Sequence, residues 1–322
     1  MNSGNALYKA IDAMHIIPML HAIRRLLLML LLALPLTASA ADQKTFATPD
    51  EAVDALLAAL KADDDAALVA IFGDKHKDLV VTSDRAANSA TRAEAVVEIQ
   101  TYRLLEEQGK DRRVLLIGDQ AWPVPIPLVK SGERWRFATE EGENEIFHRR
   151  IGANERNAIA VLEAYLDAQK QYASWDRNGD GVLQYAQRLG STPGKRDGLY
   201  WPADIAKGEE MSPFGPLVAE SAAYLKGRKA SDPYRGYHFR ILTRQGKSAP
   251  GGAYNYVING RMIAGFAMVA YPDQYGDSGV MTFIISHSGR IFEKDLGKNT
   301  AAIGARLTAF DPGAGWVEVA AQ

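Results

Sequence analysis

The chain has 322 residues, 47 % of them hydrophobic, a formal net charge of −2 and no cysteine. The slightly acidic balance argues against nucleic acid as a partner. Without cysteine, disulfide staples, thiolate metal sites, cysteine nucleophiles and a lipid anchor on cysteine are all excluded. A chain of this length forms either one large domain or two ordinary ones without needing such staples.

The first 40 residues have the order of a secretory signal peptide. Arg24 and Arg25 precede the apolar run 26–34, and the small-residue stretch 37–40 follows it. The apolar run has only about half of the roughly 20 residues that span a bilayer, which argues against an uncleaved anchor. We therefore expect cleavage near Ala40, a periplasmic or secreted protein, and no membrane span in the mature chain.

Residues 41–148 are predicted to form an α+β unit of helices followed by a small antiparallel sheet. Thr48 is a suitable cap for a first helix, since Pro49 and Glu51 complete the capping signature. A second helix is predicted over 65–72, and a third from Thr91, with its inward residues at Val96, Val97, Ile99, Tyr102 and Leu105. Strands are predicted over 114–117, 124–129 and 135–137. The order of elements resembles that of the cone-shaped NTF2-like domains.

Residues 149–322 are predicted to form a second α+β unit, in which a helix packs on an antiparallel sheet. The helix is expected from Glu155 to Ala173, with Asn154 as its cap. Strands are predicted over 237–243, 254–258, 262–271, 280–287 and 290–292, separated by glycine-bearing turns. Because the run 262–270 is nearly all apolar, we expect it to be a central strand buried on both faces.

The loop after this helix has the spacing of the first half of a calcium loop. Asp176, Asn178, Asp180, the Val182 carbonyl and Gln187 would occupy ligand positions 1, 3, 5, 7 and 12. Glutamine replaces the usual bidentate glutamate, so calcium would bind weakly, at roughly 0.1 to 1 mM. The alternative is a structural turn, in which the Asp and Asn side chains bond nearby backbone amides. No other metal or cofactor is expected.

The segment Gly276 to Gly279 matches the nucleophile segment of chymotrypsin-like serine proteases. That chemistry needs a histidine base against Ser278, but the histidines are scattered, so we expect an ordinary hairpin turn. Tyr200 and Trp201, beside residues 195–197, are where a ligand groove would be sought. Arg149 and Arg150 are expected to support the junction of the units through carboxylate pairs; the alternative is that they bind an anion.

Several short sequence segments, in the same order along the chain, resemble segments of the bacterial exported proteins of the domain-of-unknown-function family 2950. They are WPVPIP (122–127), RRIGANE (149–155), AQKQY (168–172), the loop from 176 to YAQ (185–187), STPGKRDGLYW (191–201) and YHFR (237–240). The resemblance spans nearly the whole mature chain. It implies a periplasmic location and no established activity.

The functional prediction is a non-catalytic binding or envelope-assembly module, whose partner is an envelope protein or a small ligand. No residue is assigned as catalytic, and the balance of motifs favours a protein that is not an enzyme. Two alternatives stay open: an envelope hydrolase with a dispersed Asp/Glu or Ser/His site, and a calcium-stabilised structural protein.

Overall fold

The computed structural model describes residues 43–82, 84–225, 229 and 231–320. The predicted signal peptide lies outside these residues. Within the described part of the chain, no helix has the length and apolar character that a membrane crossing requires. Helices combine with antiparallel sheets, so the predicted α+β class is confirmed.

The first three helices are α1 (Pro49–Ala62), α2 (Asp65–Phe72) and α3 (Arg85–Thr101), with a 3₁₀ helix, Asp74–Leu79, before α3. The predicted cap of α1 is confirmed: the Thr48 hydroxyl accepts from the Glu51 amide, and the Glu51 carboxylate accepts from the Ala47 amide. These reciprocal bonds satisfy one open donor of the first helical turn, the Glu51 amide, and the Ala47 amide just before the helix.

The predicted start of α3 at Thr91 is wrong. The helix begins earlier, at Arg85 instead of Thr91, where the Asp84 carboxylate accepts from the Ala87 amide and caps it. The predicted inward residues Val97 and Tyr102 are also wrong, since they are 60 % and 41 % exposed. The helix ends at Thr101 because the following residues pair as a strand, and that long-range pairing overrides the helical periodicity.

The N-terminal sheet contains β1 (Arg103–Glu107), β2 (Arg112–Ile117), β3 (Trp122–Pro123), β4 (Leu128–Ser131) and β5 (Arg134–Phe137). Its order is β1-β2-β4-β5, and β3 also pairs with β2. The predicted strands 114–117 and 135–137 are confirmed, whereas 124–129 is a strand only from Leu128 onward. One hydrophobic cluster joins this sheet to α1 and α2, with Leu56, Leu68, Leu115 and Phe137 among its buried members.

Helix α4 (Thr139–Ala173) has 35 residues, so the predicted start at Glu155 with an Asn154 cap is wrong. Asn154 lies inside the helix, where its side-chain amide donates to the Ser278 carbonyl. Ile146 and Phe147 pack on the N-terminal cluster, and the second half of the helix packs on a C-terminal cluster. The helix therefore runs across the predicted domain boundary at residue 148, and from Gln43 onward the chain forms one compact unit. The division into two domains stays a prediction.

Beyond α4 come a 3₁₀ turn, Ile205–Lys207, and two short helices, α5 (Gly215–Glu220) and α6 (Ala222–Leu225). The strands that follow are β6 (Tyr237–Leu242), β7 (Arg244–Gln245), β8 (Tyr254–Asn255), β9 (Val257–Ile258), β10 (Arg261–Met262), β11 (Ala267–Pro272), β12 (Met281–Ser286) and β13 (Ile291–Asp295). A second 3₁₀ turn, Gly297–Asn299, leads into α7 (Thr300–Gly304), and β14 (Val317–Glu318) is the last strand.

The main C-terminal sheet has the order β14-β13-β12-β11-β6 and is antiparallel throughout. The predicted strand 262–271 divides into β10 and β11, because the amides of Ile263 and Ala264 both donate to the Tyr256 carbonyl instead of to a ladder. The prediction of a central strand buried on both faces is confirmed for β11, whose residues 267–270 are fully buried. Helix α4 contacts β11 and β12, and α7 contacts β11.

Candidate functional site

The predicted calcium residues lie on one exposed loop directly after α4. Both oxygens of Asp176 accept backbone amides, from Gly179 at 2.9 Å and from Gly181 at 2.7 Å. Asp180 accepts from the Val182 amide at 3.0 Å and pairs with the Arg261 guanidinium at 2.8 Å.

These contacts are those expected of the alternative to a calcium site, a hydrogen-bonded structural turn. Asn178 donates to Asp180, and the Gln187 amide nitrogen donates to the Gly260 carbonyl, so Gln187 bonds to a neighbouring turn. Over the described residues, no group of three or more His, Cys, Asp or Glu side chains is arranged to hold a metal ion. Calcium binding at this loop stays a prediction.

The loop that contains Tyr200 and Trp201 fills a core instead of lining an open groove. Trp201 is buried, and its indole nitrogen donates to the Glu210 carbonyl. The guanidinium groups of Arg177 and Arg196 lie over its ring at 5.5 and 5.4 Å, and both pair with the Glu210 carboxylate. These polar groups therefore satisfy one another, and the cluster stabilises the loop.

The segment Gly276 to Gly279 forms the turn between β11 and β12, as the sequence predicts. Ser278 is buried, and its hydroxyl accepts from the Gln274 amide and donates to the Gln274 carbonyl. Both of its described partners are thus backbone groups of the same turn. A serine nucleophile needs a base in hydrogen-bond reach, and the contacts of Ser278 are those of a residue that closes a turn.

Arg150 joins this turn to the N-terminal half of the molecule. Its guanidinium donates to the Asp277 carboxylate at 2.5 Å, to the Asp78 carbonyl at 3.1 Å and to the Leu79 carbonyl at 2.5 Å. Only 17 % of the Arg150 side chain and 22 % of that of Asp277 are exposed, so the pair is largely screened from water. The predicted carboxylate pairing at this junction is therefore correct for Arg150, while Arg149 pairs with Glu145 on the surface.

A cleft of about 380 Å³ opens beside this ion pair. Three separate segments line it: the end of the 3₁₀ helix and the residues after it, the first third of α4, and the β11–β12 turn. Asp78, Val81, Phe147, Tyr275 and Asp277 are among the lining residues. A hollow of about 480 Å³ also lies beside α7, but a single segment, 299–307, forms it. The junction cleft is the better candidate site, because ligand sites combine apolar walls with a few convergent polar groups.

The charged residues that line the cleft, Asp78 and Asp277, are both acidic. Burial raises the pKa of Asp277, and the carboxylates of Asp78 and Asp273 add to the rise, while Arg150 opposes it. Next to them, Asp273 bonds the His238 ring at 2.8 Å, and that ring stacks on Tyr271 with centroids 5.4 Å apart. A perturbed carboxylate in a cleft is a feature of functional sites.

A family model described as protein of unknown function (DUF2950) matches residues 43–319. The chain belongs to the DUF2950 family. No curated protein and no solved structure matches it.

In this DUF2950 chain, the sequence places Gln169 on the inner side of α4, which is confirmed, but it does not identify the partners of its side chain. Gln169 is fully buried; its amide nitrogen donates to the Ala186 carbonyl at 2.8 Å, and its oxygen accepts from the Ala186 amide at 2.8 Å. The same nitrogen donates to the Tyr165 hydroxyl, which in turn donates to the Ala267 carbonyl. A polar residue on the apolar side of a predicted helix was the available signal, since a buried amide requires partners.

Replacing Arg150 by alanine is expected to lower the free energy of unfolding by about 2 kcal/mol, because Asp277 and two carbonyls lose their donor. Arg149→Ala is the matched control and should cost at most about 0.5 kcal/mol, since its pair with Glu145 is exposed. Urea unfolding followed by circular dichroism measures both. Equal costs for the two variants would contradict the role given to Arg150.

Proposed function

We propose that this chain is an exported binding module that holds a small cationic group in the junction cleft. The leader-like order of residues 1–40 supports export. The observation that carries the binding proposal is the cleft itself, which joins three segments of the chain and has acidic charged lining residues.

The lining side chains favour a cation on an apolar stem. Asp78 and Asp277 supply negative charge, and the Arg150 guanidinium is already engaged by Asp277 and two carbonyls. Val81 and Phe147 supply apolar surface against which an alkyl chain packs. An ammonium or guanidinium group beside these carboxylates gains charge-assisted hydrogen bonds that a neutral group of the same shape does not.

Asp78 offers a direct test, because its carboxylate has no hydrogen-bond or ion-pair partner among the described residues. Calorimetric titration with butylguanidine and with the neutral isostere butylurea compares the two chemistries on the same stem. We expect butylguanidine to bind and Asp78→Asn to weaken it about fivefold, the effect of losing one partly solvated charge interaction of about 1 kcal/mol. Asp119→Asn, on an exposed turn away from the cleft lining, is the matched control.

Acidification provides a second readout of the same site. Because burial raises the pKa of Asp277 above that of an ordinary aspartate, its charge is lost at a higher pH. Butylguanidine binding should therefore begin to weaken, as the pH falls, before ordinary carboxylates titrate. Equal binding of butylurea, or an Asp78→Asn variant that binds butylguanidine as the unchanged protein does, would overturn the proposal.

A further inference from the structure

Strand β1 ends the N-terminal sheet, and its outer edge has no paired strand among the described residues. Its register with β2 places Arg103 opposite Ile117 and Glu107 opposite Arg113. Beyond the strand ends, the Gly118 amide donates to the Tyr102 carbonyl and the Gln108 amide donates to the Arg112 carbonyl. In this pair of strands, the even-numbered residues of β1 therefore form the hydrogen-bonded pairs with β2, and the odd-numbered residues form the non-hydrogen-bonded pairs.

The alternation fixes which backbone groups point outward. Since residues 104 and 106 bond β2, the amides and carbonyls of Arg103, Leu105 and Glu107 face away from the sheet. A bond on the far side of β2 agrees with this parity, because the carbonyl of Leu115, the partner of Leu105, accepts from Val124. The open edge thus presents three residues with their main-chain donors and acceptors unbonded to β2.

The sequence of β1 is complementary to itself. When a second copy of the strand runs antiparallel with Leu105 at the centre, Arg103 lies opposite Glu107 of the second copy, and the reverse pair forms on the other side of the two-fold axis. Both charged pairs then fall at hydrogen-bonded positions, as does the Leu105 pair. Opposite charges directly across a ladder stabilise it, and like charges destabilise it.

Exposed apolar side chains accompany this edge. Val97, Tyr102 and Leu104 lie within eight residues where α3 passes into β1, and they are 60 %, 41 % and 48 % exposed. Strand edges of natural proteins are protected against association by strong twist, short length or unfavourable charge. Here the charges at the two ends of the edge are of opposite sign. Each already pairs within its own chain, Arg103 with Asp54 and Glu107 with Arg113. Such surface pairs are weak, so they can be exchanged for pairs with a second copy of the same strand.

We propose that this chain forms a symmetric dimer by antiparallel pairing of β1 with β1 of a second copy. The shared five-residue strand pair is a small interface. The dimer is therefore weak, with a dissociation constant above about 1 µM. The dimer does not involve the junction cleft, whose lining residues belong to other segments. The dimer proposal can therefore be tested independently of the function proposed for that cleft.

Sedimentation equilibrium on the chain without its predicted signal peptide, from about 1 to 500 µM, tests the dimer. Glu107→Lys places like charges opposite each other at both ends and should raise the dissociation constant about tenfold. The double variant Arg103→Glu with Glu107→Lys restores opposite charges and should return the constant to near that of the unchanged protein.

Glu106→Lys is the matched control, because it makes the same charge change on the same strand at a position that bonds β2 and lies opposite Leu104 of the second copy. Glu107→Pro provides a second route, since its amide faces outward and an edge strand tolerates proline there; it should abolish the dimer while the thermal midpoint changes little. A protein that is monomeric at the highest concentration, or one whose dimer Glu107→Lys and Glu106→Lys affect equally, would overturn the proposal.

Discussion

Replacing Gln169 by leucine is expected to lower the free energy of unfolding by about 4 kcal/mol. The leucine leaves the amide and the carbonyl of Ala186 without partners in a fully buried position, and each such group costs roughly 1–3 kcal/mol. The Tyr165 hydroxyl also loses a donor. Because leucine is no smaller than glutamine, the loss comes from unpaired polar groups and not from a cavity.

Gln171→Leu is the matched control for this prediction. Gln171 lies two residues further along α4, and its side chain is exposed, so the same change should alter the free energy by at most about 0.5 kcal/mol. Urea unfolding at constant pH gives both values. If the two leucine variants were equally stable, the Gln169 amide would not be the link between α4 and the segment around Ala186.

Replacing Gly279 by alanine should be almost as damaging, at about 3 kcal/mol. A Cβ atom built at this position would lie 2.2 Å from the Tyr237 hydroxyl and 2.6 Å from the ring carbon that bears it. Tyr237 is fully buried, and its hydroxyl donates to the Met281 carbonyl, so it has little freedom to retreat. The turn must therefore shift away from β6, and packing around it is lost.

Gly276, three residues earlier in the same turn, separates steric crowding from backbone strain. Its φ is +80°, but a Cβ there would meet no atom within 4 Å, so Gly276→Ala should cost only about 1 kcal/mol. Differential scanning calorimetry of the two variants gives the comparison. A cost at Gly276 that equals the cost at Gly279 would mean that strain, and not the approach of Tyr237, sets the requirement for glycine.

Local signals predicted the elements whose ends are determined locally. Thr48 and Glu51 mark the start of α1 because both capping bonds close within four residues. The β11–β12 turn was predicted for the same reason, since its bonds join neighbouring residues. The predicted start of α4 is wrong, because Asn154 is of a residue type that caps helices but its side chain bonds Ser278, 124 residues away. No local pattern carries that contact.

Most of the candidate site could not be predicted from the sequence. Arg150 was expected to pair with a carboxylate, but its partner Asp277 is 127 residues further along the chain. The cleft exists only because the 3₁₀ helix, α4 and the β11–β12 turn meet, and each contributes residues that are unremarkable by themselves. The aromatic loop at Tyr200 and Trp201 was the more conspicuous pattern, yet it packs into a core.

The continuity of α4 also has a consequence for recombination between genes of this family. Its 35 residues pack on the N-terminal cluster in the first half and on the C-terminal cluster in the second. A product of recombination within the helix would carry an apolar stripe without its matching cluster, so either half joined to a foreign partner is expected to be less stable. One family model matches residues 43–319, a range that contains both clusters. Relatives are expected to have gained or lost both clusters together.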